Sequence, residues 1–106
     1  MRHTVIANQW VWVALDGDRP LGFASLDGEW LDQLFVDPQA QGAGVGRALL
    51  QAVKDASPCG LWLHVFSRNS RARRFYEAAG FTLTEGEMAA TTRSANLTDC
   101  TYRWQL

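Results

Sequence analysis

Three glycines lie two residues apart, at positions 42, 44 and 46, directly before a stretch with helical periodicity. Glycines at a helix start leave backbone N–H groups uncovered by side chains, at the end where the helix dipole is positive. Such donors suit an anion, and a phosphate group in particular. The segment QAQGAGVGRALL, residues 39–50, therefore predicts a phosphate-binding loop.

Two common phosphate-binding loops do not match these glycines. A dinucleotide-binding loop needs Gly-x-Gly-x-x-Gly, and counting from Gly42 the third glycine site falls on Arg47. A P-loop needs Gly-Lys-Ser/Thr at the helix entry, where this chain has Gly46, Arg47 and Ala48. A glycine-rich helix entry without any ligand remains the alternative for an isolated cluster of this kind.

Length, charge and cysteine usage limit the classes of protein that fit. The chain has 106 residues, which suits a single domain over residues 1–106. Its net charge of −1 argues against a nucleic-acid or membrane surface as partner. Cys59 and Cys100 lack metal-ligand spacing and are expected to be free thiols in a reducing cytoplasm. The N-terminal segment is a poor signal peptide, and no apolar run is long enough to span a bilayer.

The pattern of apolar residues and turns predicts four strands before a weakly patterned tail. Two tight turns, at DGDR and at Asp27-Gly28, make the first three strands an antiparallel meander. A helical crossover before the fourth strand favours parallel pairing of the third and fourth strands. The predicted strands cover residues 10–15, 20–26, 30–36 and 61–66, with a closing strand at 99–106.

Two helices complete the prediction. Residues 44–56 have apolar side chains at helical spacing, and residues 69–81 form a second helix capped by Asn69 or Ser70. Gly80 is its expected left-handed stop, with Phe81 packed behind it. The predicted class is α/β (α+β), with a central mixed, mostly antiparallel sheet and two helices.

Two segments carry a more specific signal together than the glycines do alone. The first, residues 31–50, contains Gln41-Gly42-Ala43-Gly44-Val45-Gly46 between a strand and a helix. The second, residues 61–81, contains Asn69, Ala72, Phe75-Tyr76 and Gly80-Phe81 on the next strand and helix. In this order and spacing the segments resemble the GNAT family of acetyl-coenzyme A-dependent N-acetyltransferases. The resemblance covers residues 11–81 and includes the family's Gln/Arg-x-x-Gly-x-Gly/Ala signature.

The resemblance implies a coenzyme site that needs neither a lysine nor a metal. The backbone amides of the glycine loop would bind the pyrophosphate, and the backbone of residues 34–36 would pair with the pantetheine arm and polarise the thioester carbonyl. Asn69 would contact the same arm, which is compatible with its role as a helix cap. The implied coenzyme-binding residues are Leu34, Phe35, Val36, Gln41, Gly42, Ala43, Gly44, Val45, Gly46, Arg47, Asn69, Ala72, Arg73 and Tyr76.

Tyr76 stands where the family commonly has its general acid, and a core aromatic beside Phe75 is the alternative. Glu29 and Asp32 are candidates for the base, because some family members carry a carboxylate there. Two further base candidates are Asp37 and His64. Each of the four has a simpler interpretation, as a solvated surface charge or as a packed strand histidine.

Basic and aromatic residues leave two alternatives open. One or two arginines of the segment RNSRARR would bind the adenosine phosphates of the coenzyme. The alternative is that all four lie on a solvated helix face. For the five tryptophans the two alternatives are that they line an acceptor pocket or that they belong to the core or an interface. The arginines are Arg68, Arg71, Arg73 and Arg74, and the tryptophans are Trp10, Trp12, Trp30, Trp62 and Trp104.

The predicted function is transfer of an acetyl group from acetyl-CoA to a primary amine of a small molecule or peptide by direct attack. Family members usually have a first strand and two helices before the strand matched by WVWVAL, and few residues precede it here. A catalytically degenerate domain that binds acetyl-CoA or a protein partner is therefore the alternative. An uncovered sheet face or an exposed WVWVAL strand also predicts a homodimer.

Overall fold

The computed structural model describes residues 4–8, 10–84 and 99–105 of the chain. Residue contacts divide the chain into two compact units, residues 1–58 and residues 59–106. Within the described residues, no helix is long and apolar enough to cross a membrane. The expectation of a single domain stays a prediction.

The first unit contains an antiparallel sheet of four strands in the order β1-β2-β3-β4. The turns that join β2 to β3 and β3 to β4 each contain a glycine with positive φ, Gly17 at 60° and Gly28 at 62°. These are the two tight turns predicted from DGDR and Asp27-Gly28, so the meander is confirmed. The strands are β1 (Thr4–Asn8), β2 (Val11–Asp16), β3 (Arg19–Asp27) and β4 (Trp30–Val36).

Strand β1 was not predicted, and its presence corrects one argument. WVWVAL corresponds to β2, which pairs with β1 on one side and with β3 on the other. It is therefore an interior strand rather than the exposed strand that the sequence suggested as a reason for dimerisation. Four of the five residues in β1 are exposed, so β1 lacks the burial alternation by which a strand is recognised.

Helix α1 (Val45–Asp55) packs on one face of this sheet. Its buried side chains are Val45, Leu49, Leu50 and Val53, which gives the helix a continuous apolar stripe. Gly22 on β3 faces this helix, since a Cβ at Gly22 would point toward Leu49 and collide with the Phe35 carbonyl. The close approach of β3 and β4 therefore requires a residue without a side chain at this position.

The opposite face of the sheet carries a row of apolar residues. Ile6, Val13, Phe23 and Phe35 are direct cross-strand partners on β1, β2, β3 and β4. Since Gly22 faces α1 and side chains alternate along a strand, Phe23 and its partners face away from α1. Ile6 is 51% exposed and Phe35 is 52% exposed. The first unit thus presents an apolar row that α1 does not cover.

The second unit contains β5 (Leu61–Phe66), β6 (Thr82–Thr84), β7 (Asp99–Trp104) and helix α2 (Ser70–Ala78). Strand β7 is the middle strand and pairs antiparallel with both β5 and β6. β5 and the closing strand confirm the prediction, whereas the three-residue β6 was not predicted. β6 has only three residues, so it is too short to show a pattern of burial in the sequence.

Helix α2 has the N-cap and the terminating glycine that the sequence predicts, although the helix itself is shorter than residues 69–81. Asn69 is the N-cap, and its side chain accepts a hydrogen bond of 3.1 Å from the Ala72 N–H. Gly80 follows the helix with φ of 94°, and Phe81 behind it is buried. No residue of α2 is fully buried, so its apolar face is less enclosed than the spacing suggested.

Candidate active site

The glycine loop connects β4 to α1 through a short 3-10 helix, Pro38–Ala40. Asp37 caps that helix, because its side chain accepts a hydrogen bond of 2.9 Å from the Gln39 N–H. Gly42 and Gly44 follow with φ of 86° and 82°, values that side chains disfavour. The two glycines are exposed, and nothing lies within 4 Å of the position where either would carry a Cβ.

The first turn of α1 has backbone donors that the protein does not use. The first N–H to bond back along the helix is that of Ala48, which donates to the Gly44 carbonyl at 3.0 Å. The preceding N–H groups of Val45, Gly46 and Arg47 have no acceptor among the described residues. No side chain caps this helix start, and no acidic residue lies in its first turn.

This helix start has the electrostatics of an anion site. Unused N–H groups and the helix dipole both place positive potential at Gly44, where the open surface admits a ligand. The Arg19 guanidinium lies near the approach to the loop, since it donates to the Gln39 side chain at 3.1 Å. The loop therefore fits a phosphate held by backbone donors, without a lysine or a metal. Arg19 was not among the predicted residues, because it lies 20 positions away in the chain.

Strand β4 leads directly into this loop. Leu34, Phe35 and Val36, the predicted pantetheine-binding residues, pair with Ala24, Phe23 and Gly22 of β3. The Asp37 N–H extends the ladder by donating to the Leu21 carbonyl at 2.8 Å. The three residues thus hold a defined extended backbone up to the loop. Their contact with a pantetheine arm stays a prediction.

The four candidates for the base have different surroundings. Glu29 and Asp32 are exposed, in the β3–β4 turn and on β4. Asp37 serves the 3-10 helix as its cap. His64 on β5 lies 3.2 Å from the Thr101 hydroxyl, as a packed strand histidine does. Of the four, Glu29 and Asp32 have the exposure that a base needs to reach an incoming amine.

Tyr76 lies on α2 in an aromatic cluster. Its ring makes edge-to-face contacts with Phe75, at 5.1 Å between centroids, and with Phe81, at 5.6 Å. Burial raises the pKa of Tyr76 to about 12, so the phenol is protonated at neutral pH. Its hydroxyl makes no hydrogen bond to the residues that the structure describes. The ring is therefore packed, as the simpler interpretation expects, while the hydroxyl keeps its capacity to donate.

Arg73 and Glu77 on α2 meet Tyr102 of β7 in a polar cluster, which we call the Tyr102 cluster. The Tyr102 hydroxyl accepts from Arg73 Nε at 3.1 Å and donates to Glu77 Oε2 at 2.6 Å. Arg73 Nη1 also donates to the Ser67 carbonyl at 3.3 Å. Burial raises the pKa of Tyr102, the bond from Arg73 lowers it, and the bond to Glu77 raises it. Sequence reasoning missed Tyr102 and Glu77, since nothing in a six-residue strand indicates which residue meets a helix.

Most of the remaining residues singled out in the sequence have the simpler structural role rather than a place in a binding site. Arg68, Arg71 and Arg74 are exposed, as a solvated helix face requires, whereas Arg73 belongs to the Tyr102 cluster. Trp12 is a core residue, and Trp104 packs on Phe81 with 6.4 Å between centroids. Both cysteines are free thiols. Within the described residues, no group of His, Cys, Asp or Glu could hold a metal ion.

An uncapped helix start after a glycine loop, in an α+β fold, is an arrangement suited to a phosphorylated ligand held by backbone donors. Residues 7–83 match the family model described as acetyltransferase (GNAT) domain. The chain belongs to the GNAT family, as the sequence resemblance implied, and its α+β GNAT fold is confirmed.

Named relatives agree with this assignment. The peptidyl-lysine N-acetyltransferase YjaB of Salmonella typhimurium is 41% identical over 75 residues, which cover 70% of this chain and 51% of that protein. The peptidyl-lysine N-acetyltransferase YiaC of Escherichia coli is 37% identical, over 80% of this chain and 58% of that protein. The chain thus spans little more than half the length of these two curated relatives.

Solved structures share the fold. The solution structure of apo-form YjaB from Escherichia coli superposes with a TM-score of 0.67 and 33% identity, over 88% of this chain and 61% of that chain. A putative streptothricin acetyltransferase from Bacillus anthracis, in complex with acetyl coenzyme A, gives a TM-score of 0.75 at 22% identity. That match covers 95% of this chain and 64% of the other, and at this identity it concerns the fold alone.

Proposed function

We propose that this chain transfers the acetyl group of acetyl-CoA to a primary amine of a small molecule or peptide by direct attack. The observation that carries the proposal is the uncapped first turn of α1, where the N–H groups of Val45, Gly46 and Arg47 have no acceptor among the described residues. A pyrophosphate is a suitable acceptor for this set of donors. Gln41 to Arg47 are the proposed binding residues of the loop.

The proposed reaction is one nucleophilic displacement. The neutral amine nitrogen attacks the thioester carbonyl carbon, a C–N bond forms, the C–S bond breaks, and coenzyme A leaves as a thiolate. The amine gives its proton to a base, and Tyr76 as the proposed acid donates a hydrogen bond that stabilises the leaving thiolate. A backbone N–H of the Leu34–Val36 segment is the proposed donor to the carbonyl oxygen, in the manner of an oxyanion hole.

Asp32 and Glu29 are the proposed candidates for the base. Both are exposed, and a carboxylate accepts the amine proton directly or through a water molecule. Asn69, Ala72 and Arg73 on α2 are proposed to contact the coenzyme, although Asn69 and Arg73 also bond within the protein.

The acceptor is proposed to be a lysine side chain of a peptide or a polyamine, since relatives of both kinds match. One relative is named peptidyl-lysine N-acetyltransferase and another, from Bacillus subtilis, spermine/spermidine N(1)-acetyltransferase. Both acceptors present a primary amine on a flexible aliphatic chain. The peptide is the first candidate, because that relative covers more of this chain.

The test is an assay of free thiol release from acetyl-CoA with a lysine-containing peptide, spermidine and a peptide blocked at its lysine. We expect thiol release with the free amine and none with the blocked peptide, and mass spectrometry should find one added acetyl group. Calorimetry with coenzyme A measures binding on the same preparation. Binding without thiol release for any amine would favour the alternative, a catalytically degenerate coenzyme-binding domain, and absence of binding would contradict the proposal altogether.

We also propose that the protein is a homodimer. The row of Ile6, Val13, Phe23 and Phe35 supports this, because it is an uncharged apolar surface that a second copy can cover with the same row. Light scattering should give the mass of a dimer for the wild type and of a monomer for Ile6→Lys. Ala7→Lys is the matched control, since Ala7 is exposed on the same strand and faces the other way. A monomeric wild type at micromolar concentration would contradict the proposal.

The proposed location is the cytoplasm, and the proposed partners do not include nucleic acid or membranes. Cys59 and Cys100 are free thiols, which is what proteins of a reducing compartment usually contain. The net charge of −1 gives no general attraction for polyanions such as nucleic acid. Separation of the soluble and membrane fractions of cells that produce the protein tests the location.

A further inference from the structure

The Tyr102 cluster joins a firmly held strand residue, Tyr102 of β7, to a less firmly held helix, α2. Tyr102 is fully buried on the middle strand of the second unit, where its backbone pairs with Leu63 of β5 and Leu83 of β6. A residue held by neighbours on both sides is a fixed point of the sheet. The partners of its hydroxyl, Arg73 and Glu77, both belong to α2, which has no fully buried residue.

Two contacts one helical turn apart fix the rotation of a helix about its axis. Arg73 and Glu77 are four residues apart, so they lie on one side of α2. The bond from Arg73 to the Ser67 carbonyl attaches the same side to the segment that leaves β5. Tyr76, three residues after Arg73, lies on the adjoining side of the helix. Any rotation of α2 therefore moves the Tyr76 hydroxyl.

The Tyr76 hydroxyl has no anchor of its own among the described residues, because only its ring is packed, against Phe75 and Phe81. Its position depends on the position of α2. A phenylalanine at 102 would fill nearly the same space on β7 without a buried polar atom to satisfy, so the phenol adds directed bonds rather than packing.

We propose that Tyr102 is a positioning residue for acetyl transfer, which holds α2 through Arg73 and Glu77 at the rotation where Tyr76 donates to the leaving sulfur. The inference rests on the proposed function, in which Tyr76 is the acid. A displacement of about 1 Å at a reacting group can lower a rate by about a hundredfold, so loss of one attachment point has a measurable effect on turnover.

The kinetic test compares Tyr102→Phe with the wild type in acetyl transfer to the lysine peptide. We expect kcat to fall about tenfold, because the acid is misplaced, and KM for acetyl-CoA to change less than kcat, because most of the proposed coenzyme contacts lie on β4 and the glycine loop rather than on α2. Thr84→Val is the matched control. It also removes one part-buried hydroxyl of the second unit, which bonds to the Thr101 carbonyl at 3.0 Å, and it leaves the Tyr102 cluster intact.

The double variant separates positioning from general destabilisation. In a Tyr76→Phe background, Tyr102→Phe should lower kcat no further, because the group that it positions is already absent. Glu77→Gln should recover most of the activity that Glu77→Ala loses, since the glutamine oxygen still accepts from Tyr102. An equal fall of kcat in both backgrounds, or an equal fall in Thr84→Val, would overturn the proposal.

Backbone amide exchange by NMR tests the cluster without any activity. We expect Tyr102→Phe to speed exchange in α2 by about tenfold and to leave exchange in α1 unchanged. Unchanged exchange in α2 would overturn the inference about Tyr102. A wild-type protein that transfers no acetyl group would instead overturn the proposed function, so the two failures are distinguishable.

Discussion

The two helices of this chain begin in opposite ways. Helix α1 starts after Gly44, which has no side chain, and the N–H groups of its first turn have no acceptor among the described residues. Helix α2 starts after Asn69, whose side chain accepts from the Ala72 N–H at 3.1 Å. The first helix start leaves its donors open to a ligand, whereas in the second one donor bonds to the side chain of the cap residue.

The difference in capping follows a difference in burial. Helix α1 buries four apolar side chains against its sheet, whereas α2 has no fully buried residue and is attached by the Tyr102 cluster and by half-buried aromatic rings. A missing cap costs about 1 kcal/mol, which an apolar stripe of four residues offsets easily. A helix with strong packing can therefore leave its first turn open for binding, and a weakly packed helix needs its cap.

The largest expected effect is the loss of coenzyme A binding in Gly44→Glu, which would place a carboxylate side chain at the uncapped first turn of α1. Its carboxylate would cover the free amides and repel a phosphate, so coenzyme A binding should be lost. Calorimetry measures the affinity, and thermal unfolding establishes that the variant is folded.

Gly28→Glu is the matched control for that variant. Gly28 also has positive φ, with open space around it, but it lies in the β3–β4 turn. The two variants therefore share backbone strain and added charge, and only the first should lose binding. A folded Gly44→Glu protein with unchanged affinity would contradict the assignment of the loop.

Tyr76→Phe tests the catalytic role of the second helix. Turnover should fall by about a hundredfold, the low end for general acid catalysis, since a thiolate leaves tolerably well without help. The raised pKa of Tyr76 points the same way, because it favours hydrogen bonding to the sulfur over complete proton transfer. Coenzyme affinity, measured on the same preparation, should stay the same. Unchanged turnover would return Tyr76 to the role of a packed aromatic.

The burial of Tyr76 also has an effect on stability at high pH. Its pKa is about 12 in the folded protein and about 10 in the unfolded chain, so the folded state holds this proton more tightly. The resulting stability is fully present below pH 10 and is lost as the pH rises toward 12. We expect the wild type to lose about 2 kcal/mol more than Tyr76→Phe over that range.

Urea unfolding at a series of pH values measures this difference. Tyr102, whose pKa is also raised, contributes to both proteins and cancels in the comparison. Equal losses of stability in the two proteins would show that the Tyr76 phenol is not desolvated in solution.

The smallest expected effect is that of Asn69→Ala, which removes the cap of α2 and should cost about 1 kcal/mol of unfolding free energy. Asn69→Ser should keep most of that stability, because its hydroxyl accepts from the same N–H. Coenzyme affinity then separates the two roles of Asn69. A serine variant of full stability but weakened affinity would mean that the amide also contacts the coenzyme, whereas equal affinity would leave the cap as its only role.

Most of the fold could be predicted because its signals are local. The turns at Gly17 and Gly28, the cap at Asn69 and the left-handed stop at Gly80 each depend on one residue type at one place. Strand β1 could not be predicted in this way, because four of its five residues are exposed and no alternation of buried and exposed positions runs along it.

The candidate site likewise has one part with a local sequence signal and one part without it. A glycine loop is recognised from neighbouring residues, and the structure shows the uncapped helix start that the proposed phosphate binding needs. The Tyr102 cluster joins residues 25 and 29 positions apart, so it depends on which residue of β7 faces α2. A single sequence contains no local pattern for such a contact. The roles of Tyr76, Asp32 and Glu29 stay predictions.

If the open first turn of α1 binds the coenzyme as proposed, the lifetime of the protein will depend on the supply of that coenzyme. A ligand that binds only the folded chain stabilises it in proportion to the logarithm of ligand concentration, by about 2.7 kcal/mol at one hundred times the Kd. For a domain of ordinary stability that is a large share of the total. Copies made when the coenzyme is scarce would unfold and be degraded more often, so their abundance would follow the coenzyme pool without any dedicated regulator.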